Sequence, residues 1–158
     1  MKKIMEHRSG KLEQGRPMLL KLLERGAVTE ADVVALRREV FAQHAPSRIE
    51  IEDLFAIDAV AQPKGEAWAE FFVEAVTDFV VWGQRPTGLV EEADAHWLLA
   101  KVDAAKTVSS FAVLVNILDQ AHRVPRWFPA AVRSRAVAGW PGLLSHAAPA
   151  GVAASCAV

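Results

Sequence analysis

Glu66, Glu70, Glu74 and Asp78 recur at intervals of four in the stretch EAWAEFFVEAVTDFVVW. On a helix that spacing aligns four carboxylates on one face. Like charges so placed repel by about 0.2–0.5 kcal/mol per pair, so the stripe calls for a counter-charge. A Lys or Arg from a neighbouring helix, or plain solvation, is the ordinary relief of such a face. A divalent cation or a basic partner is the functional one. A second group, Arg123, Arg126, Arg133 and Arg135 beside Trp127 and Phe128, lies in HRVPRWFPAAVRSR. It combines charges for phosphates with rings for stacking on bases. A net charge of −1 argues against a nucleic-acid domain, which is basic overall. Docking of a basic last helix on an acidic body is the expected use, with a membrane headgroup contact the weaker alternative.

The third group is Ser145, His146, Ser155 and Cys156 in GWPGLLSHAAPAGVAASCAV, residues 139–158, which contain no Lys, Arg, Asp or Glu. Disordered ends rely on charge or polarity to stay solvated, so this tail is expected to pack, through Trp140, Leu143 and Leu144, or to be recognised. Its chemistry also resembles the modifiable core of a ribosomally made peptide, in which Ser is dehydrated and Cys adds or cyclises. Conventional catalysis has no such foothold. The five histidines, His7, His44, His96, His122 and His146, show no zinc-ligand spacing, and Cys156 is the single cysteine, so neither a structural zinc site nor an internal disulfide is expected. No phosphate loop, dinucleotide fingerprint or nucleophile elbow is present. No enzyme activity and no cofactor are expected, and the cysteine usage fits a reducing cytoplasm.

These groups must be held by helices. The 158 residues suit one domain, and apolar positions recur at three and four, which predicts a single all-α domain of about seven helices. Residues 1–15 read as an N-terminal extension, 16–138 as the helical domain and 139–158 as a short non-helical tail. MKKIMEHRSGKLEQG has no apolar run of signal-peptide length, and no segment has the composition of a membrane span. Residues 1–119 hold 14 basic and 19 acidic side chains, whereas residues 120–158 hold four Arg and no acid.

A turn, a β-branched residue, a polar cap and an apolar helix recur four times, at residues 25–36, 47–57, 87–99 and 105–118. Thr29 and Ser109 are the expected caps, Thr29 with Asp32 approximating a capping box. The branched residues Val28, Ile49, Val90 and Val108 are expected to point inward and pin each helix start. The spacings group the units in two pairs joined by a central helix over 66–82, buried through Trp68, Phe71, Phe72, Val73, Val76, Phe79, Val80 and Trp82, with Gly65 and Gly83 at its ends. Pro46 and Pro63 bracket the helix before it. Pro129 and Gly139 bound a last helix. The Gly26 and Gly88 turns share the glycine position of a calcium loop. Its first, third and fifth ligand positions would be Lys21, Leu23 and Arg25, or Gly83, Arg85 and Thr87, which do not bind calcium.

The stretches Gly26–Ala31, Trp68–Ala75 and Gly88–Ala93 resemble the motifs of bacterial tellurite-resistance TerB-like helical domains. The form WAEFFVEAVTDFVVW followed by PTGLVEEADAHWLLAKV is similar to proteobacterial members in particular. The resemblance spans roughly residues 20–138 and rests on caps and core positions. It implies a helical domain without enzymatic activity of its own, linked to metal or oxyanion stress and to membrane-associated signalling assemblies. The chain lacks the Asp that precedes the turn glycine in that family. The expected function is therefore a non-catalytic binding or adaptor domain that presents the acidic helix face and the C-terminal tail to a protein partner, without nucleic acid and without a membrane span. The alternative is a peptide natural-product precursor, with the helical body as docking leader and residues 139–158 as the modified core.

Overall fold

A computed structural model of the chain describes residues 15–42 and 44–138. Those residues form seven helices: α1 Arg16–Arg25, α2 Glu30–Ala35 with a widened π turn Leu36–Val40, α3 Arg48–Val60, α4 Glu66–Thr77 with a second π turn Asp78–Trp82, α5 Glu92–Ala105, α6 Val108–Gln120 and α7 Phe128–Val137. The all-α expectation holds among the described residues, and so does the central helix, bounded by Gly65 and Gly83. Its Trp68, Phe71, Phe72, Val76, Phe79 and Val80 are buried. Val73 is half-buried and Trp82 is 41% exposed, so these two do not belong to the centre.

Local chemistry starts the helices. Thr29 with Asp32, Ser47 with Glu50 and Thr107 with Ser110 form reciprocal capping boxes, each satisfying two otherwise orphaned N–H groups. Glu91, before α5, makes no side-chain cap. Ser109 is not the cap of α6; Thr107 is, and Ser109 turns inward. The branched residues divide in the same way. Val28 and Val90 lie just before the helix starts, ahead of Thr29 and Glu91, and are buried. Ile49 and Val108 lie inside the first helical turn, after Ser47 and Thr107, and face outward at 51% and 47% exposure. The four copies are therefore two kinds of helix start.

The larger repeat is a pair of closed units. Gly26 and Gly88 both adopt left-handed backbone, with φ of 67° and 81°. The chain leaving α3 returns to the first turn, where Gln62 N donates to Gly26 O at 2.8 Å and Val28 N to Pro63 O at 3.2 Å. The chain leaving α6 does the same at the second turn, His122 N to Gly88 O at 2.9 Å and Val90 N to Arg123 O at 3.0 Å. Each unit is thus a helix, a left-handed turn, two helices and a returning strap, and α4 opens the second unit.

The two glycines differ in one respect. A methyl group on Gly26 meets no neighbour within 4 Å, whereas on Gly88 it would collide with His122 Cδ2. Gly26→Ala should cost about 1–2 kcal/mol, the left-handed penalty alone. Gly88→Ala should cost more because the imidazole must also leave. Adding His122→Ala should remove the excess. Urea unfolding of the three variants checks this, and equal losses for the two single variants would contradict it.

Candidate binding groove

The exposed side of α4 carries Glu66, Glu70, Glu74 and Asp78 in one line, with Ala69 and Val73 toward its neighbour α6. Asn116 and Gln120 of α6 form the opposite wall of an open groove of about 550 Å³. It continues along α6 over a more apolar depression of about 570 Å³ that shares Val73 and Asn116 and adds Val108, Ala112 and Val115. Val115 is 50% exposed. The two helices are tied at the floor by amides: Asn116 Nδ2 donates to the buried Thr77 Oγ1 at 2.8 Å, Gln120 Nε2 to Asn116 Oδ1 at 3.3 Å, and Trp82 Nε1 to Gln120 Oε1 at 3.2 Å.

A neighbouring cation relieves part of the stripe, as expected. Arg37, on the π turn after α2, lies over the Phe71 ring and places Nη2 2.7 Å from Glu74 Oε2. Among the described residues Glu66, Glu70 and Asp78 have no cation. Burial, and then the charge of Glu74, push the Asp78 carboxyl above the ordinary carboxylate range. Successive stripe residues sit one turn apart, about 6 Å along the axis, whereas calcium ligands converge within 2.3–2.6 Å of the ion. No group of three His, Cys, Asp or Glu among the described residues is placed to hold a metal.

The structure takes the basic-aromatic patch apart. Arg135 pairs with Asp103 of α5 through Nε at 2.7 Å and Nη2 at 2.5 Å, and those hydrogen bonds hold the guanidinium's pKa above its usual value. This is the expected docking of α7 on the acidic body. Phe128 is fully buried. Trp127 donates Nε1 to Glu92 Oε2 at 2.7 Å and stacks on His96 with centroids 4.4 Å apart, so neither ring is presented as an open stacking platform. Arg123, Arg126 and Arg133 are exposed and form no ion pair among the described residues. Ser145, His146, Ser155 and Cys156, the packing residues Trp140, Leu143 and Leu144, and Gly139 lie outside the described residues.

A buried polar centre escaped the sequence reading. Asp58, near the end of α3, is fully buried. Its Oδ1 accepts from Trp68 Nε1 at 2.9 Å, Ser109 Oγ at 2.6 Å and Lys64 Nζ at 3.0 Å, and its Oδ2 from Thr107 Oγ1. Glu50, also buried, accepts from Ser47 N and Oγ at 2.8 and 3.0 Å and lies 3.1 Å from His44 Nε2. These acids join helix ends. The only signal of Asp58 in the sequence is one acid on an apolar helix face, while the Ser47–Glu50 spacing is a legible capping box.

No protein-family model matches the chain, and neither does any curated protein or solved structure. No helix among the described residues is long and apolar enough to cross a membrane.

Proposed function

We propose that this domain is a non-catalytic cytoplasmic binding module that receives a basic, amphipathic helix of a protein partner in the groove between α4 and α6. One juxtaposition carries the reading: three carboxylates without a cation among the described residues, Glu66, Glu70 and Asp78, line one depression, and the exposed valines Val108 and Val115 line the adjoining one, the two meeting at Val73 and Asn116. An amphipathic helix lays apolar anchors at i, i+3, i+4 and i+7 into such a groove. Covering a valine fully contributes about 1.5 kcal/mol at the lower end of the side-chain range. Rim carboxylates add less affinity than orientation and association rate. The non-catalytic part is supported by the use of the buried polar groups: Asp58, Glu50, Thr107 and Ser109 are bound up in fastening helices. The TerB-like resemblance points the same way.

Anisotropy of a labelled helical peptide of Lys and Leu tests it. Binding should weaken as salt screens the rim. With two exposed pairs at roughly 0.3–0.7 kcal/mol each, Glu66→Gln/Glu70→Gln should weaken it about threefold to tenfold. As pH falls, Asp78 takes up its proton before an ordinary aspartate, so affinity should begin to drop above the usual carboxylate range. No binding, or equal binding by the variant, would overturn the proposal.

A further inference from the structure

We infer that a second copy of this chain supplies that helix: the outward face of α7 in one molecule docks in the α4–α6 groove of the next. The inference rests on the groove reading above and names its occupant. Two residues fasten α7 inward, Phe128 and Val132, both buried. Its opposite face carries Ala130 and Val137 as apolar positions seven residues apart, with Arg133 and Ser134 between them, all exposed. Val137 is 88% exposed. Arg123 and Arg126, just before the helix, are exposed as well, and residues 120–158 contain no acid. Arg123 and Arg126 border a depression that also holds Glu91 and Glu92, so the outward face of α7 contributes Arg133 and an uncovered valine beside two further arginines unpaired among the described residues, whereas the groove is acidic with uncovered valines.

The dimensions agree. Ten residues of α7 extend about 15 Å and the stripe from Glu66 to Asp78 about 18 Å at 1.5 Å per residue. Within its own molecule α7 uses Arg135 on Asp103 and leaves Arg126 and Arg133 for another acidic surface. The α7 face and the groove share no residue, so each molecule both gives and receives: the exchange either is reciprocated across a twofold axis in a closed dimer or runs head to tail into chains or a ring. A single helix face buries less than a standard interface, so the assembly is weak, concentration-dependent and sensitive to salt.

Sedimentation velocity of the full 158-residue chain over a concentration series tests this. At low salt the weight-average sedimentation coefficient should rise with concentration, and added salt should abolish the rise. Arg126→Glu/Arg133→Glu makes both surfaces acidic, and Glu66→Arg/Glu70→Arg makes both basic. Each variant alone should stay monomeric, and equal amounts mixed should associate again. All four positions are exposed, and circular dichroism verifies that each variant is folded. A wild-type chain that stays monomeric throughout, or an assembly that neither variant weakens, overturns the inference. If the chain stays monomeric while the Lys and Leu peptide still binds, the groove reading stands and the second copy falls. If the peptide fails as well, both fall.

Discussion

Asp58→Ala should lower the unfolding free energy by about 3–5 kcal/mol, the loss that follows when one partner of a buried charge pair is removed. Asp58 accepts hydrogen bonds from three places: the first turn of α4 through Trp68, the preceding connection through Lys64, and the start of α6 through Thr107 and Ser109. Alanine leaves the Lys64 ammonium, whose side chain is 16% exposed, without its carboxylate. It also strands the Trp68 N–H and the Ser109 hydroxyl, at roughly 1–3 kcal/mol for each group left unsatisfied. Asn keeps the volume and one acceptor oxygen but must turn its amide toward a donor, so Asp58→Asn should fall between wild type and alanine. In thermal unfolding the alanine loss corresponds to a fall of about 6–20 °C at 2–4 °C per kcal/mol. In a cycle with Trp68→Phe the two losses should not add, because both remove the same bond. An Asp58→Ala protein within about 1 kcal/mol of wild type would mean that this carboxylate does not fasten α6 to α3.

Helices are legible in the sequence wherever their signals are local. The Thr29 and Asp32 pair, the turn glycines Gly26 and Gly88, and Pro46, Pro63 and Pro129 act within one turn of the backbone they shape. Long-range placement has no such signal. Asp58 and Ser109 are 51 positions apart, and nothing in either neighbourhood announces the other. The four similar helix starts mislead because a branched residue just before a cap and one just after it face opposite ways: Val28 precedes Thr29 and goes in, Ile49 follows Ser47 by two and goes out. The acidic stripe is legible as a face from its four-residue spacing. Its partial neutralisation by Arg37 and its apolar continuation through Val108 and Val115 depend on how α2 and α6 pack beside α4. The basic-aromatic patch is the counterpart case. Trp127 and Phe128 look like a stacking pair in sequence, yet Phe128 opens α7 and turns into the core while Glu92 captures the Trp127 indole.

Phe72→Ala and Trp82→Ala should differ severalfold in cost, although both residues belong to the same apolar helix. Phe72 is fully buried, edge-on to Phe55 at 5.0 Å and stacked on Trp68 at 5.9 Å. Its loss should cost about 3–5 kcal/mol, as a cavity forms among rings that cannot collapse into it. Trp82 contributes a hydrogen bond to the exposed Gln120 and an edge contact with His122 at 5.8 Å. Its removal should cost about 1 kcal/mol, the worth of one such bond and partial burial. Trp82 closes the π turn at the end of α4. There Gly83 N reaches back five residues to Asp78 O at 2.7 Å, and the widened turn shifts the register of the face. Val80 and Val81, adjacent in sequence, are both buried, and Trp82 emerges at the surface. Denaturant unfolding of the two variants decides the matter, and equal losses would place Trp82 in the core.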